Sequence, residues 1–580
     1  MVTNAEIADM LEEIATLLAF DDANPFRVRA YRNGARTVRR YGKTMASLVA
    51  DEADLTALPT IGTDLAALIQ EAVNTGHMRS LDALRISAPI PSLDLLEVEG
   101  IGPKKARALW QELGVSTPEQ LHRAVLDHKV RTVTGFGPGS EVRLAEVFAK
   151  QTPLKSRRYP LGTVTPIADA LRTYLGTCPD ISRFEIAGSF RRGRDTVGDL
   201  DIVAETHTPA AAIDHLASWS RVKRLVLRGE AKATFILDEG IQMDLRATDT
   251  EGWGAMLQYF TGSKPHSIAL RVRAKAKGLK LNEYGVWKGN QRVAGATETE
   301  IYDALGLVFI PPELRENRGE IELAAEDKLP ILVTRQDLKG DLHVIANSVR
   351  DVGAMLKAAH ACGLSYVAIG PRIDAKTKRK TVEDIFRETD ARCKDIPGLR
   401  CFRLVEVGLT KQGDLDASDT LLEDADLIIG AVRDGFDLTK AEQTKRLVQA
   451  VKHPRLSILS HPTGRSVGER EPFDVDMAKV AKAAAQAGTA LELSADPARM
   501  DLTDLHCHTA QEAGAQISVT AEAIRPAEFE RLTLGIVQAR RGWLGPSDVL
   551  NVRGAADLAK TFRTQKTNKT AKEPVHAGSA

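Results

Sequence analysis

Two aspartates near the middle of the sequence have the type and spacing of a metal-dependent phosphoryl-transfer site. Asp199 and Asp201 flank Leu200 in DLDIVAET, a predicted strand. Because side chains alternate between the faces of a strand, both carboxylates lie on one face and Leu200 on the other. Carboxylates this close repel each other, and divalent cations relieve the repulsion. The spacing therefore predicts a site at which two metal ions assist an in-line displacement at phosphorus.

Asp244 is the candidate for the third carboxylate. It lies in IQMDLRAT, a predicted strand that follows ATFIL across a tight Asp-Glu-Gly turn at 238–240. This position can bring Asp244 beside Asp199 and Asp201. We predict that Asp199 and Asp201 bridge both ions, and that Asp244 binds the catalytic ion and favours ionisation of the attacking hydroxyl. The cofactor expected here is Mg²⁺ or Mn²⁺, two ions per site.

The segment before the aspartates, AGSFRRGRDTVG, has the groups that a triphosphate needs. Ser189 and the N–H groups of a loop that includes Gly188 and Gly198 can donate hydrogen bonds to phosphate oxygens. Arg192 can neutralise the phosphates through charge-assisted bonds. An isolated Asp-x-Asp is usually a solvated strand end, but this preceding segment favours a nucleotide site.

Three turns in the first 150 residues repeat one pattern: an apolar residue, Gly-x-Gly or a near variant, and then a helix start. They are LPTIGTDLAALI (58–69), VEGIGPKKARAL (98–109) and VTGFGPGSEVRL (133–144). The glycines permit close backbone approach, and the N–H groups of the following helix can hold a phosphate oxygen. The first copy departs from the pattern because Thr60 replaces the leading glycine. The repeat predicts sequence-independent DNA binding through helix–hairpin–helix turns, with these glycines at the contact: Gly62, Gly100, Gly102, Gly135 and Gly137.

Composition describes an ordinary globular protein of several domains. The 580 residues are 43% hydrophobic and 27% charged, with a formal net charge of zero. DNA binding must therefore depend on local patches such as the basic segment 27–42. Five dispersed cysteines predict a reducing cytoplasm rather than a disulfide framework. No apolar run is long enough for a membrane span, and the acidic N-terminus does not resemble a signal peptide.

The motifs together resemble bacterial-type family X DNA polymerases. GSFRRGRDTVGDLD is a nucleotidyltransferase signature shared with many enzymes, whereas YFTGS at 259–263 followed by GLKLNEYG at 278–285 is specific to family X. The resemblance runs from about residue 3 to 555. It implies a helical N-terminal region, a nucleotidyltransferase palm and a C-terminal PHP (polymerase and histidinol phosphatase) domain.

The resemblance also implies roles on the nucleotide side of the site. Tyr259 and Phe260 would line the sugar pocket and select deoxyribose, and Gly262 would supply a backbone contact to the nucleotide. Arg271 matches a residue that reaches the template minor groove. Two positions depart from the family: Ser267 stands where an asparagine usually contacts the incoming base, and Gln242 stands where vertebrate members have an arginine.

The N-terminal region resembles the lyase domain of DNA polymerase beta. That activity needs a lysine amine as its nucleophile, and Leu68 stands at the corresponding position. Arg27, Tyr31 and Arg32 retain the character of a 5′-phosphate site. We therefore predict that this region binds the 5′ phosphate of a gap without efficient lyase chemistry.

The C-terminal region resembles PHP phosphoesterases, but other residues replace most of the metal ligands of that family. His343, Glu406 and His461 are the residual ligand positions that remain. About nine His, Asp and Glu ligands are expected, so 3′–5′ exonuclease activity and bound PHP metals are not expected. The replacements at the other positions are Ile345, Pro371 with Arg372, Arg433, Glu522 for an aspartate, and Ile524.

The predicted fold class is a multidomain α+β and α/β protein. Residues 1–85 form a helical polymerase-beta-like domain and 86–152 a helix–hairpin–helix subdomain. The palm, with a mixed sheet, spans 153–248, and the nucleotide-selection subdomain spans 249–316. A linker at 317–335 leads to a distorted PHP barrel at 336–560, and 561–580 form a disordered tail.

The predicted function is gap-filling DNA synthesis in repair, with DNA and dNTPs as partners, no membrane and a monomeric state. The expected location is the bacterial cytoplasm, at the nucleoid. Three alternatives stay open at this point. They are an active PHP exonuclease, a catalytically silent DNA-binding scaffold and a non-templated nucleotidyltransferase.

Overall fold

The chain forms two compact units in a computed structural model. The structure describes residues 4–20, 23–41, 44–81, 84, 95, 98, 100–115, 118–150 and 158–570. One unit comprises Met1–Arg157 with Asn317–Glu322, and the other comprises Arg158–Glu316 with Leu323–Ala580. No helix among these residues has the length and apolar character to cross a membrane.

The first unit is helical, as predicted. Apolar residues such as Ile7, Leu11 and Ile14 recur at helical spacing and are buried against the neighbouring helices. Short 3₁₀ turns at Leu55–Ala57 and Val130–Thr132 precede two of the three hairpin turns. The helices of this unit span Asn4–Phe20, Pro25–Arg40, Met45–Ala50, Thr63–Thr75, Pro103–Leu113, Pro118–Leu126 and Pro138–Lys150.

A five-stranded mixed sheet begins the second unit, in the order β2-β4-β7-β6-β5. The sequence predicts four of these strands from FEIAG, DLDIVAET, ATFIL and IQMDLRAT, and all four are present. The edge strand β5 is an addition that the sequence pattern did not indicate. Helices at Leu161–Leu175 and Pro209–Ala217 accompany the sheet. The strands, with the small β1–β3 pair, are β1 (Tyr159–Pro160), β2 (Arg183–Ile186), β3 (Thr196–Val197), β4 (Asp199–Glu205), β5 (Val222–Arg228), β6 (Lys232–Leu237) and β7 (Gln242–Thr248).

A smaller subdomain follows, consisting of helices and an antiparallel three-stranded sheet. Its helices span Trp253–Thr261, Lys264–Ala276 and Glu298–Ala304. Its strands are β8 (Lys280–Asn282), β9 (Gly285–Lys288) and β10 (Gln291–Ala294).

Seven parallel strands then form a nearly closed barrel, in sequential order from β11 to β17. The sequence predicts all seven from the short apolar runs LHVIA, YVAIG, LVEVG, DLIIGAV, LSILS, ALELS and ISVTA. Val344 in the first strand bridges Ala523, just after the last strand, which brings the two edges together. The strands are β11 (Gly340–Ile345), β12 (Tyr366–Gly370), β13 (Arg400–Gly408), β14 (Leu427–Ala431), β15 (Ile458–Ser460), β16 (Ala490–Ser494) and β17 (Ile517–Thr520).

Helices surround the barrel, as expected for parallel strands joined by crossover connections. They span Val349–Ala361, Arg379–Lys394, Asp419–Leu422, Lys440–Lys452, Met477–Ala487, Asp504–Glu512, Leu532–Arg541 and Ala555–Thr570.

The structure differs from the sequence predictions in three places. The linker at 317–335 contains a helix, Glu320–Ala325, and Val333 is buried and bonds to Leu544. The disordered tail was assigned too early, because the last helix continues to Thr570 and Phe562 packs against the barrel core; residues 571–580 lie outside the described residues. The cysteines are not all free, because Cys393 and Cys401 form a disulfide.

The barrel packs directly on the five-stranded sheet. Val467 and Met500 of the barrel are buried in the same apolar cluster as the sheet residues. Gly193, in the loop before β4, packs so tightly that a Cβ there would lie 1.9 Å from Cγ1 of Val537. Arg465 of the barrel forms an ion pair with Asp195 of that loop. The barrel therefore supports the loop that leads into Asp199.

Candidate functional site

The strand register brings the three predicted aspartates together. β4 and β7 are parallel neighbours, and Asp201 lies directly opposite Asp244. Asp199 and Asp201 are half-buried on one face of β4, whereas Leu200 is fully buried on the other. The turn at 238–240 reverses the chain as predicted and returns β7 to the centre of the sheet.

Two polar neighbours fix the third aspartate. Thr234, on the antiparallel strand β6, donates its hydroxyl to Oδ1 of Asp244. Gln242 donates its amide to Oδ2 of Asp244 over 2.6 Å. Gln242, which departs from the vertebrate pattern, therefore holds Asp244 in place.

The electrostatics of the three carboxylates suit divalent cations. Burial and the neighbouring charges of Asp199 and Asp244 raise the pKa of Asp201 to about 7. Bound cations would remove this penalty, and carboxylate oxygens are the ligands that Mg²⁺ prefers. The donor set therefore fits the expected metal ions, with Asp199, Asp201 and Asp244 as the ligands.

The loop that precedes β4 lies against the triad. Gly188 has φ +62°, and a Cβ there would lie 2.3 Å from Oδ2 of Asp201, so only glycine fits. Ser189 follows Gly188 in the short helix Gly188–Arg191. Gly198 immediately precedes Asp199, and a Cβ there would approach Arg158 at 3.4 Å.

Arg192 is held by protein groups in this structure. It is buried, donates to Glu316 over 3.0 Å and to the carbonyl of Thr261 over 2.7 Å. Its role in neutralising a triphosphate stays a prediction. Its partner Glu316 lies 124 positions away, and no local pattern could have revealed it.

A buried arginine of the barrel completes this network. Arg541 donates to the carbonyl of Arg192 over 2.9 Å, to Glu316 over 3.1 Å and to Asp504 over 2.6 Å. Its side chain is 3% exposed. The neighbouring Arg540 instead pairs with Glu313 over 2.6 Å. Arg541 thus links the barrel to the backbone of the loop beside the triad.

The residues predicted to face the nucleotide lie on two consecutive helices. Tyr259 and Phe260 are half-buried at the end of Trp253–Thr261, with their rings 5.2 Å apart in an edge-on arrangement. A Cβ at Gly262 would lie 3.2 Å from the hydroxyl oxygen of Ser267, which is buried in the next helix. Arg271 is exposed one turn further on and donates to the carbonyl of Ser267 over 3.2 Å.

The first unit contains the predicted hairpin turns. Thr60 adopts φ +65°, close to the values of Gly100 (+88°) and Gly135 (+83°), so it takes the place of the leading glycine despite its side chain. Gly62 and Gly102 are the N-caps of their helices without a side-chain cap, and space is open above both. A Cβ at Gly137 would also meet nothing within 4 Å. These features leave the helix starts accessible to a phosphate.

The predicted 5′-phosphate residues lie on the helix Pro25–Arg40. Arg27 is exposed and Arg32 is half-buried. Tyr31 is 7% exposed and belongs to the helical core, with the Arg27 guanidinium 6.0 Å from its ring. Tyr31 therefore packs the helix, and a phosphate contact would rest on the two arginines.

The residual PHP positions meet inside the barrel. His343 and Glu406 are fully buried and 3.3 Å apart, and His461 is also buried. Glu406 is bound by both arginines that replace former ligands: Arg372 at 2.7 Å and Arg433. Burial opposes the ionisation of Glu406, but His343 and the guanidiniums outweigh it and hold the pKa of Glu406 well below its usual range.

Glu492 is a further member of this cluster that was not predicted from the sequence. Glu492 is fully buried, accepts from His343 over 2.6 Å and also binds Ser460 and Thr520. The available signal was an acidic residue inside the apolar strand ALELS. Its carboxylate, with His343 and Glu522, forms a group whose ligand atoms lie within 4.8 Å of one another.

These residues do not fit the metal cluster that the PHP fold implies. The buried histidines and glutamates of this cluster, His343, His461, Glu406, Glu492 and Glu522, are fewer than the expected ligand set. Two guanidiniums also hold Glu406, which opposes a cation there. Burial and the charge of Glu492 raise the pKa of Glu522 to about 8.

Comparison with known families supports this architecture in three places. Residues 256–316 match the DNA polymerase beta thumb, residues 2–78 match a helix-hairpin-helix domain, and residues 92–150 match a SAM-like helix-hairpin-helix tandem. These are the subdomain with YFTGS and the two regions with the repeated turns.

Similar proteins cover almost the whole chain. The chain is 30% identical over 565 residues to the DNA polymerase/3′-5′ exonuclease PolX of Bacillus subtilis (strain 168). The aligned region covers 95% of this chain and 98% of that protein. It is 24% identical over 345 residues to DNA polymerase lambda of Rattus norvegicus, over 54% of this chain and 56% of that protein. A probable phosphatase of Syntrophotalea carbinolica is 27% identical over 164 residues, 27% of this chain and 64% of that protein. The chain therefore belongs to the family X DNA polymerases of the bacterial PolX type.

Proposed function

We propose that this polymerase fills short gaps in DNA during repair in the bacterial cytoplasm, by templated nucleotidyl transfer at Asp199, Asp201 and Asp244. The observation that carries the proposal is the register of β4 and β7, which sets Asp201 opposite Asp244 beside the Gly188 loop. Mg²⁺ or Mn²⁺ held by these carboxylates, two ions per site, would neutralise the phosphates and assist the attack of the primer 3′-hydroxyl.

The residues of the chain position the reactants. Thr234 and Gln242 keep both oxygens of Asp244 oriented. Ser189 and the backbone of its loop would bind the triphosphate, while Tyr259 and Phe260 would exclude a ribose 2′-hydroxyl. Binding of DNA on both sides of the gap would use the hairpin turns, since phosphate contacts do not depend on sequence.

Primer extension tests this proposal. The substrate is a 5′-labelled primer beside a one-nucleotide gap with a 5′ phosphate, with Mg²⁺ or Mn²⁺. Wild type should add the complementary nucleotide, and Asp199→Ala/Asp201→Ala should not. Asp238→Ala changes an exposed aspartate in the turn before β7 and should leave extension intact. Extension that persists in the double variant, or that ignores the template base, would contradict the proposal.

We further propose that the barrel has lost nuclease activity. The support is the pair of arginines on Glu406, which occupy a carboxylate that a metal ion would need. The group of His343, Glu492 and Glu522 favours the second candidate, a residual exonuclease. Without dNTPs, the labelled primer should stay intact. Shortening that survives in Asp199→Ala/Asp201→Ala and disappears in His343→Ala would establish the second candidate instead.

A further inference from the structure

The former ligand positions of the barrel now open into a basic pocket. A cavity of about 630 Å³ lies over Asn347, Pro371–Asp374, Lys376–Lys378, Thr381 and Arg433. Two of these residues, Arg372 and Arg433, belong to the replaced ligand positions. The PHP fold implies a metal-binding site at this position. In this chain, positively charged arginine side chains line the cavity instead.

The buried carboxylate of Glu406 binds both arginines, whose remaining N–H groups face the cavity. Arg372 donates its Nε to Glu406 over 2.7 Å, and Arg433 donates from one terminal nitrogen. A planar guanidinium has five N–H donors, so a single carboxylate leaves several available. Their side chains are 42% and 31% exposed. The buried carboxylate thus fixes the direction of both guanidiniums without occupying them fully.

The rim of the pocket adds positive charge on an ordered loop. Ile373 donates its backbone N–H to the carbonyl of Glu406 on β13, and Glu406 donates its N–H to the carbonyl of Pro371. The hydroxyl of Thr377 donates to the carboxylate of Asp374 over 2.9 Å. Lys376 and Lys378 extend from this loop and are exposed. Among the described residues that line the cavity, Asp374 alone is acidic, and Lys376 donates its N–H to it over 2.9 Å.

The pocket also lies at the start of a long helix. Lys378 is the N-cap of Arg379–Lys394 and gives no side-chain cap to the first turn, and Thr381 of that turn lines the cavity. A helix N-terminus favours negative charge. The cavity therefore combines two oriented guanidiniums, two lysines and a favourable helix dipole on one open surface.

We propose that this pocket binds the phosphates of a single DNA strand without hydrolysing it. Arginine forks match phosphate oxygens, and exposed lysines follow a flexible backbone as point charges. The cavity is far larger than one phosphate group and is open, as a strand requires. The site would hold a displaced or unpaired strand while synthesis proceeds elsewhere in the enzyme. The proposal uses the polymerase assignment only to identify the polyanion as DNA.

Local hydrogen–deuterium exchange of the full-length protein tests the pocket directly. The probe is (dT)₁₂ at 50 mM salt, and the reporter is the segment 372–382. We expect slower exchange in this segment in wild type and no change in Lys376→Glu/Lys378→Glu. The matched control is Lys445→Glu/Lys482→Glu, which makes the same charge change at exposed lysines on two other helices of the barrel. It should behave as wild type.

Salt dependence of binding provides a second readout. Fluorescence anisotropy with labelled (dT)₁₂ should show at least a tenfold loss of affinity in the pocket variant at 50 mM salt. The slope of log K against log salt should decrease by about 1.4, because two phosphate contacts are lost at about 0.7 each. The control pair should stay within twofold of wild type on both measures.

Three results would overturn the proposal: no protection of 372–382 in wild type, equal losses in the pocket and control variants, or full protection by inorganic phosphate alone at equal ionic strength. The last result would assign the pocket to a small anion. Gap filling is measured on the same wild-type preparation. Loss of gap filling would contradict the polymerase assignment, whereas absence of protection at 372–382 would contradict DNA binding in the pocket. The two failures are therefore distinguishable.

Discussion

Arg541→Ala should impair nucleotide insertion from a position in the barrel. The side chain is almost fully buried and makes three charge-assisted or carbonyl bonds, two of which reach the backbone of Arg192 and the carboxylate of Glu316. Removal of one partner from a buried ionic network costs about 3–5 kcal/mol. We expect part of this loss of stability to appear as increased disorder of the loop that runs from Gly188 to Asp195.

The effect on catalysis follows from the position of that loop. Gly188 lies directly against Asp201, so a shift of the loop would displace both the proposed triphosphate site and one of the proposed metal ligands. A displacement of about 1 Å can reduce a rate by about 100-fold. We therefore expect kcat/KM for single-nucleotide gap filling to decrease by about 10–100-fold, mainly through KM for the dNTP. Arg541→Lys should be intermediate, because it keeps one charge but loses the planar fork.

Arg540→Ala is the matched control. Arg540 precedes Arg541 on the same helix. Within the described part of the chain, its hydrogen bonds go to Glu313 and to the carbonyl of Val333, and none of them reaches the loop. Its removal should lower the melting temperature and change kcat/KM by less than about threefold. If Arg541→Ala inserts nucleotides as well as Arg540→Ala does at equal folded fraction, the barrel does not position the loop and the reasoning fails.

Two further predictions concern the stability of the barrel. Glu406→Gln should lower the free energy of unfolding by about 3–5 kcal/mol, because Arg372, Arg433 and His343 lose a buried carboxylate; denaturant melts that show less than about 1 kcal/mol would mean that the ion pairs do not replace the metal. Burial lowers the pKa of His506 to about 4, below the 6.5 expected in the unfolded chain. The unfolded state then binds more protons between these values, so the stability due to neutral His506 is present above pH 6.5 and is lost as the pH falls towards 4. Relative to His506→Gln, wild type should lose about 2 kcal/mol between pH 7 and pH 5, and a constant difference would contradict the assignment.

The sequence was sufficient for features that depend on local periodicity. Alternation in DLDIVAET set Asp199 and Asp201 on one face, and the Asp-Glu-Gly turn was enough to return Asp244 to their side. The seven barrel strands were each recognisable as short apolar runs. Thr60 illustrates a limit of pattern matching, because its backbone takes the glycine conformation although its residue type does not favour it.

Features that depend on distant partners were not predictable. Arg192 has the residue type of a phosphate ligand, but Glu316 and Thr261 hold it inside the protein. The last helix has a mostly polar sequence, and it is ordered because Leu558 and Phe562 pack in the barrel core. Cys393 and Cys401 are eight positions apart, and their pairing depends on the turn between the helix Arg379–Lys394 and β13.

The most direct test of the polymerase assignment is single-turnover insertion by Asp201→Asn on a one-nucleotide gap. This change keeps the shape of the side chain and removes a charge that the metal ions require. We expect a loss of at least about 1000-fold in the insertion rate. Affinity for the gapped DNA should stay within about threefold of wild type, because the hairpin turns that would bind DNA are unchanged. Insertion within tenfold of the wild-type rate would contradict the assignment of the triad as the site of DNA synthesis.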